Sequence, residues 1–374
     1  MAVALAAVAG FGLVWLQTLA AQFGGAIDPR DLTQLVTATP DAPTDVRETR
    51  PRNILLIGSD SRTGANSEIG GAGAEGMRSD ATVLAHVSGD RQRVDLMSIP
   101  RDLQVEIPDC TLFDGTEVPG GHGKFNAAFS HGARQGDPAE AAACTINTVH
   151  DITGIRIDHW AVLDFEGFTR MVDALDGIPM CIPEPIVSAK AGLDLEAGPQ
   201  VLSGAEALGW ARLRTAEVGE VSGSDLQRIN RQQELLEQTL RTARAKSLFT
   251  DAAELTSFLR AGAESLTTDQ ELGSLDFMIR LAYSLRGLSA DDLTVTTVPW
   301  EYTDDRLSVV LAENAPQMFD DIREDRPLSV TDEDDATSAW DDGSDGDDAL
   351  SGSPSITPGA GSDAIDDILA ACEP

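Results

Sequence analysis

The sequence predicts an α/β or α+β layered fold, a sheet with helices covering its faces. Short apolar runs ending in Gly or turn residues recur along the chain, and capped segments of helical periodicity lie between them. The middle of the chain, about 275 residues from Arg52 to Pro327, is also long enough to bury one large core. No internal repeat competes with this reading.

The elements follow in order. Asn53–Gly58 (NILLIG) is a short apolar run closed by Gly, a buried strand with a loop after it. Ala81–Ser88 and Val94–Ile99 are two further strands joined by the turn at Gly89-Asp90. Asp137-Pro138 supplies an N-cap and a first-turn proline for a helix through His150. Trp160–Phe165 is a strand, and Glu166–Leu175 is a helix that stops at Gly177. Ser203 and Glu206 have the spacing of a capping box and open a helix towards Trp210. Ser224 or Asp225 caps the longest helix, which runs to about Ala245. Helices over 251–261 and 268–286 and a strand at Leu293–Val298 complete the domain.

The ends read differently. Ala2–Phe23 is nearly all apolar and roughly the length a membrane-spanning helix needs, so residues 1–23 are expected to be an anchor. A signal peptide is the competing reading, but its apolar core is usually shorter. Residues 24–51 are rich in Thr, Pro and Asp, as in a stalk, and residues 52–327 form the domain. Residues 328–374 are expected to be an acidic disordered tail, because Thr331–Asp348 holds nine acidic residues and no basic one. With the bulk outside the cytoplasm, a disulfide is expected among Cys110, Cys144 and Cys181, the pair left open; Cys372 has no assigned role.

The 374 residues carry 62 Asp and Glu against 27 Lys and Arg, a net charge of −35. That balance argues against nucleic acid as a partner, since phosphate binding there requires a basic surface. Any phosphate chemistry needs a local basic pocket inside an acidic field. No G-x-x-x-x-G-K-[ST] loop, H-E-x-x-H pair, C-x-x-C pair or G-x-S-x-G elbow occurs, and Gly70–Gly76 reads as a flexible loop.

The few basic residues are instead placed unevenly. Asp60 and Arg62 follow the first strand, Arg78 and Asp80 open the second, and Arg101-Asp102 end the third. Strand ends are where α/β folds place ligands. Asp60 and Asp80 are either turn and cap residues or a pair that shares a hard cation such as Mg²⁺, which takes one or two carboxylates plus phosphate oxygens. Lys124, Arg212 and Arg214 follow, and Arg228, Arg231 and Gln232 share one helical face at i, i+3 and i+4. Converging guanidiniums form a fork-shaped receptor for a diphosphate; isolated surface ion pairs are the alternative for any single one.

Taken in order, NILLIGSDSR, RSDATVLAHV, VDLMSIPRDLQVEIP, GKFNAAFSHG, TGIRIDHWAVLDFEGFTRMVDALDGIPMCIPEPI, GLDLEAGPQVLSGAEALGWARLR and SDLQRINRQQELL resemble the LytR–CpsA–Psr family. The resemblance is continuous over about Arg52–Arg244 and weaker to about Pro327. It implies a central mixed sheet flanked by helices, with an apolar tunnel for a lipid between the layers. It implies a membrane-anchored extracytoplasmic enzyme that moves a glycopolymer, such as a teichoic acid or an arabinogalactan-like polymer, from a polyprenyl-pyrophosphate carrier to peptidoglycan. By motif position, Asp60 and Asp80 would hold Mg²⁺ (or Mn²⁺) and Arg101 would contact the diphosphate and assist transfer. Lys124, Arg212, Arg214, Arg228 and Gln232 would line the rest of the pocket, with Arg62 and Arg78 flanking it. A pyrophosphatase using water as acceptor, and a membrane-tethered regulator or wall-binding module, are the alternatives. The long Gly-rich stretch Thr63–Met77 and the acidic tail depart from the family pattern.

Overall fold

The computed structural model describes residues 27–37, 50–60, 77–219, 221, 225–289 and 292–329. Its centre is a seven-stranded sheet built from β1 (Asp28–Arg30), β2 (Arg52–Ser59), β3 (Ser79–Val87), β4 (Val94–Ser98), β5 (His159–Asp164), β6 (Leu266–Asp269) and β7 (Leu293–Thr297). The strand order is β1-β6-β5-β2-β3-β4-β7. It is mixed: β2 is antiparallel to β3 and parallel to β5, β3 is antiparallel to β4, and β4 is parallel to β7.

Alternation along β2 explains the layers. Leu55 and Ile57 point to one face and Ile54 and Leu56 to the other, as the pleat requires. The first face joins Leu84, Met97 and Val162 to helices α1 (Asn126–Gly132) and α2 (Pro138–Thr153). Leu55, Leu84 and Phe129 are fully buried there. Removing such a side chain from water contributes about 1.5–3 kcal/mol. Three more helices are α3 (Phe165–Ala174), α4 (Gly204–Arg212) and α5 (Asp225–Ala245). The second sheet face is covered by α5, α6 (Ala252–Gly262) and α7 (Leu275–Ser284) through Leu236, Leu240, Leu259, Phe277 and Leu281. A third cluster packs α3, α4 and α5 on the antiparallel pairs Ile178–Ile182/Gly198–Leu202 and Ile186–Ser188/Leu193–Leu195. Helix α8 (Ala315–Arg323) closes the first layer through Met318, Phe319 and Ile322.

The cap chemistry read from the sequence is present. Asp137 accepts from the Ala139 N–H at 2.9 Å, and Ser203 and Glu206 form the reciprocal capping box of α4. Gly177 takes φ +91° after α3, a conformation that carries no side-chain penalty in glycine.

Three expectations need correction or completion. The stretch expected to be helical over 268–286 starts as strand β6, and α7 occupies only Leu275–Ser284. The Asp269 carboxylate accepts from Trp160 N on β5 and from the Glu271 and Leu272 N–H groups. Part of the expected stalk belongs to the domain: β1 pairs with β6, and Ile27, Leu32 and Leu35 are buried. Asn147 of α2 ties it down by accepting from Thr37 N at 2.8 Å and donating to Leu35 O at 2.9 Å. The pattern was too short and irregular to show periodicity. Finally, Cys110 and Cys144 form a disulfide and, with Leu112 and Val118, a small core of their own.

The expected anchor (1–23), the Gly70–Gly76 loop, Cys372 and all of the tail beyond Ser329 lie outside the described residues. Among the described residues no helix is long and apolar enough to cross a membrane.

Candidate active site

One end of the sheet gathers the chemistry. β2 ends, β3 begins and β4 ends at the same edge because the three strands alternate in direction. Asp60 therefore follows β2 directly beside Arg78 and Asp80: the Asp60 N–H donates to Arg78 O at 3.0 Å, and Asp60 Oδ1 accepts from Arg78 N at 2.6 Å. A shift in the β2–β3 register at Gly58/Ser59 accompanies this turn. Arg101 and Asp102 sit in the loop after β4. Opposite them, α4 ends at Arg212 and α5 presents Arg228 and Gln232 one turn apart.

These segments enclose a cavity of about 310 Å³ lined by Asp60, Arg78, Asp80, Arg101, Arg212, Arg214, Arg228 and Gln232, with Ser188, Lys190, Ala191, Ala211 and Thr215. Eight of the ten residues expected at a diphosphate site thus line one cavity. Lys124 stands outside the lining and reaches the group through Asp102, and Arg62 lies outside the described residues. Arg212 and Arg214 both line the cavity. Arg212 is the last helical residue, and the chain turns extended at Leu213 (φ −59°, ψ 123°).

The wall is held by polar contacts. Arg101 Nη1 donates to Asp80 Oδ1 at 3.0 Å and its Nε donates to Asp102 Oδ2 at 3.1 Å. Lys124 Nζ donates to Asp102 Oδ1 at 2.7 Å, and Arg228 Nη2 lies 3.9 Å from Asp102 Oδ2. Arg212 stacks over the Phe165 ring at 4.7 Å, which fixes its plane by cation–π attraction. Gln232 Nε2 donates to Ala211 O at 3.2 Å, locking α5 to α4. Arg231, expected on the same face, instead donates to Leu213 O at 2.5 Å, and burial lowers its pKa. It ties elements together and does not line the cavity.

Arg78, Lys190 and Arg214 line the cavity and make no ion pair among the described residues. Ser188, Lys190 and Thr215 were missed in the sequence. The one usable signal was scarcity, since the chain has only three lysines. Among the described residues no cluster of three or more His, Cys, Asp or Glu side chains forms a metal cage.

The profile of the LytR_cpsA_psr family matches residues 28–322. The chain belongs to the LytR–CpsA–Psr family. Among its relatives, the probable cell wall biosynthesis protein LcpB of Corynebacterium glutamicum is 34% identical over 269 residues, 71% of this chain and 58% of LcpB. The chain therefore spans less than two thirds of LcpB's length. TagU of Halalkalibacterium halodurans, a polyisoprenyl-teichoic acid–peptidoglycan teichoic acid transferase, is 29% identical over 282 residues, 75% of this chain and 80% of TagU. The fold matches that of a LytR-Csp2A-Psr enzyme from Actinomyces oris with a TM-score of 0.57 at 21% identity, covering 79% of this chain and 96% of that one. The family match begins at the first residue of β1, consistent with the sheet-edge role of that segment.

Proposed function

We propose that this family member is a phosphotransferase that moves a glycopolymer from a polyprenyl-pyrophosphate carrier onto a peptidoglycan hydroxyl through a phosphodiester. The observation that carries this reading is the cavity wall: five arginines and a lysine converge beside two aspartates in a chain of net charge −35. Such a concentration of positive charge, three of its members without a carboxylate partner among the described residues, suits a polyanionic linkage. An uncovered apolar position supports a lipid-borne donor. Leu56, on a central strand and facing the α5–α7 layer, is 37% exposed. It lies four residues before Asp60, about 13 Å along the strand. A polyprenyl chain passing between sheet and helices would cover it.

In the reaction, the acceptor oxygen attacks the phosphorus nearest the glycan and the bond from that phosphorus to the bridging oxygen breaks. Polyprenyl phosphate leaves with the bond's electron pair, and the acceptor proton passes to a base. Arg101 and the flanking guanidiniums stabilise charge that grows on the bridging and leaving oxygens. Asp60 and Asp80 fit Mg²⁺ or Mn²⁺: both offer hard carboxylate oxygens to the same cavity, and a site with only two protein carboxylates leaves positions for phosphate oxygens and water. Bound there, the metal would supply further neutralisation of the diphosphate. The Cys110–Cys144 disulfide favours an extracytoplasmic setting.

The test is transfer itself. The protein incubated with a polyprenyl-pyrophosphate glycan and peptidoglycan should give a covalent glycan–peptidoglycan product. Arg101→Ala and Asp80→Ala should each lower the rate on the order of 10²–10³-fold with unchanged circular dichroism. Release of glycan phosphate without a covalent product would identify a pyrophosphatase instead.

A further inference from the structure

We propose that Asp102 is the positioning residue of this site, a buried counter-charge that aims its cations at the diphosphate; this rests on the transferase reading above. Asp102 does not line the cavity and is only 7% exposed. Its carboxylate nevertheless contacts cations from three separate elements: Arg101 from the loop after β4, Lys124 at the end of the Gly121–Lys124 strand, and Arg228 from α5. Arg228 is itself only 5% exposed, so two buried charges of opposite sign sit side by side. Buried cations are retained where a buried anion compensates them.

The geometry divides the work of each cation. Arg101 spends Nε on Asp102 and Nη1 on Asp80, which fixes the guanidinium plane in the cavity wall. The backbone of Asp102 adds a fourth tie, since its carbonyl accepts from Val309 N at 3.3 Å, and Lys124 Nζ also donates to Leu307 O at 3.2 Å. Asp102 thereby joins the strand-end loop, α5 and the 300–311 hairpin at one point. A carboxylate in this place has two opposing effects. Its charge weakens the pull of the cavity on any anion, while its hydrogen bonds hold the donors where transition-state charge develops. A residue that served stability alone would show neither effect separately.

Asp102→Asn separates them, because it keeps the size and removes the charge. In the full chain, kcat for transfer should fall on the order of 10²-fold, the usual cost of misaimed groups, with KM for the donor unchanged or lower. Calorimetric titration with inorganic pyrophosphate should show binding tighter by about tenfold, as expected for removing one nearby negative charge. Asp102→Asn/Lys124→Gln should be no slower than Asp102→Asn alone, since Lys124 would act through the lost carboxylate. A wild-type kcat in Asp102→Asn, or a raised KM with unchanged kcat, overturns the proposal, as does pyrophosphate binding that is unchanged or weaker. If Asp102→Asn does not fold, Asp102→Glu keeps the charge and moves it by one methylene: kcat should still drop with pyrophosphate affinity unchanged, and full kcat there refutes positioning. Should the wild-type chain show no transfer at all, the functional reading fails. The pyrophosphate titration still decides whether Asp102 restrains the cationic pocket.

Discussion

Removing the Cys110–Cys144 bridge probes how much of the site's frame depends on a single covalent link. The bridge closes a loop of sequence separation 34 that contains Lys124, α1 and about the first two turns of α2. In the chain-entropy account a loop of that length is worth about 4 kcal/mol, because the reduced unfolded chain regains the freedom that closure removes. Both sulfurs are almost fully buried beside Leu112 and Val118, so Cys110→Ala/Cys144→Ala also loses a little apolar packing. For a domain of this size the melting temperature should fall by on the order of 10 °C. The assay is thermal unfolding of the double variant and of wild type, both without reductant, followed by circular dichroism. A variant that melts with the oxidised wild type would refute the reasoning and show that the Gly- and Pro-rich segment 108–121 is held by packing alone.

Other perturbations test the layers around the cavity. Burial first, and the Glu237 charge second, push the Glu234 carboxyl up to about 7, with Arg231 opposing. The folded chain thus keeps a proton that the unfolded chain releases near 4.5, so this stability is full below pH 4.5 and is lost as pH rises through about 7. Glu234→Gln should therefore match wild type below pH 4.5 and exceed it by pH 8, by at most about 3 kcal/mol, in urea unfolding at a series of pH values. Parallel curves would show that the carboxyl is not held protonated. Gly209→Ala in α4 would place a Cβ 2.6 Å from Ala191 O and 2.8 Å from Leu193 Cδ2. Pushing that hairpin off α4 should cost about 1–3 kcal/mol in melting experiments and raise the donor KM, since the hairpin carries Lys190. Arg214→Ala, which breaks no ion pair among the described residues, should weaken pyrophosphate binding in calorimetry while leaving the melting temperature within about 2 °C.

What the sequence made legible follows from how local each signal was. β2, β3 and β4 are apolar runs with turn residues at their ends, and those ends are where Asp60, Asp80 and Arg101 stand, so strand and site were read together. The caps at Asp137 and Ser203 were equally local, a side chain bonding to a backbone N–H within three residues. β6 was not legible, because four residues, Leu266–Asp269, become a strand only when β5 and β1 flank them. Their Thr-Thr-Asp looks like a helix entry until Asp269 is seen to bond across to Trp160. Lys190 and Ser188 belong to a three-residue strand and its turn, too short for any period. Arg231 shared a face with Arg228 in the helical pattern, yet its guanidinium donates to the Leu213 carbonyl. The spacing of a helix gives a direction, and neighbouring elements decide what is met there.

The three residues of β1 have a practical consequence. Without Ile27–Thr37 the backbone of β6 would face water with its donors and acceptors open on one side, and a flat row of that kind invites pairing with another molecule. Shortened versions that begin near Arg50 should therefore self-associate, whereas versions that begin at or before Ile27 should stay dispersed. The choice of starting residue decides whether the sheet ends in its own chain or in a neighbour's.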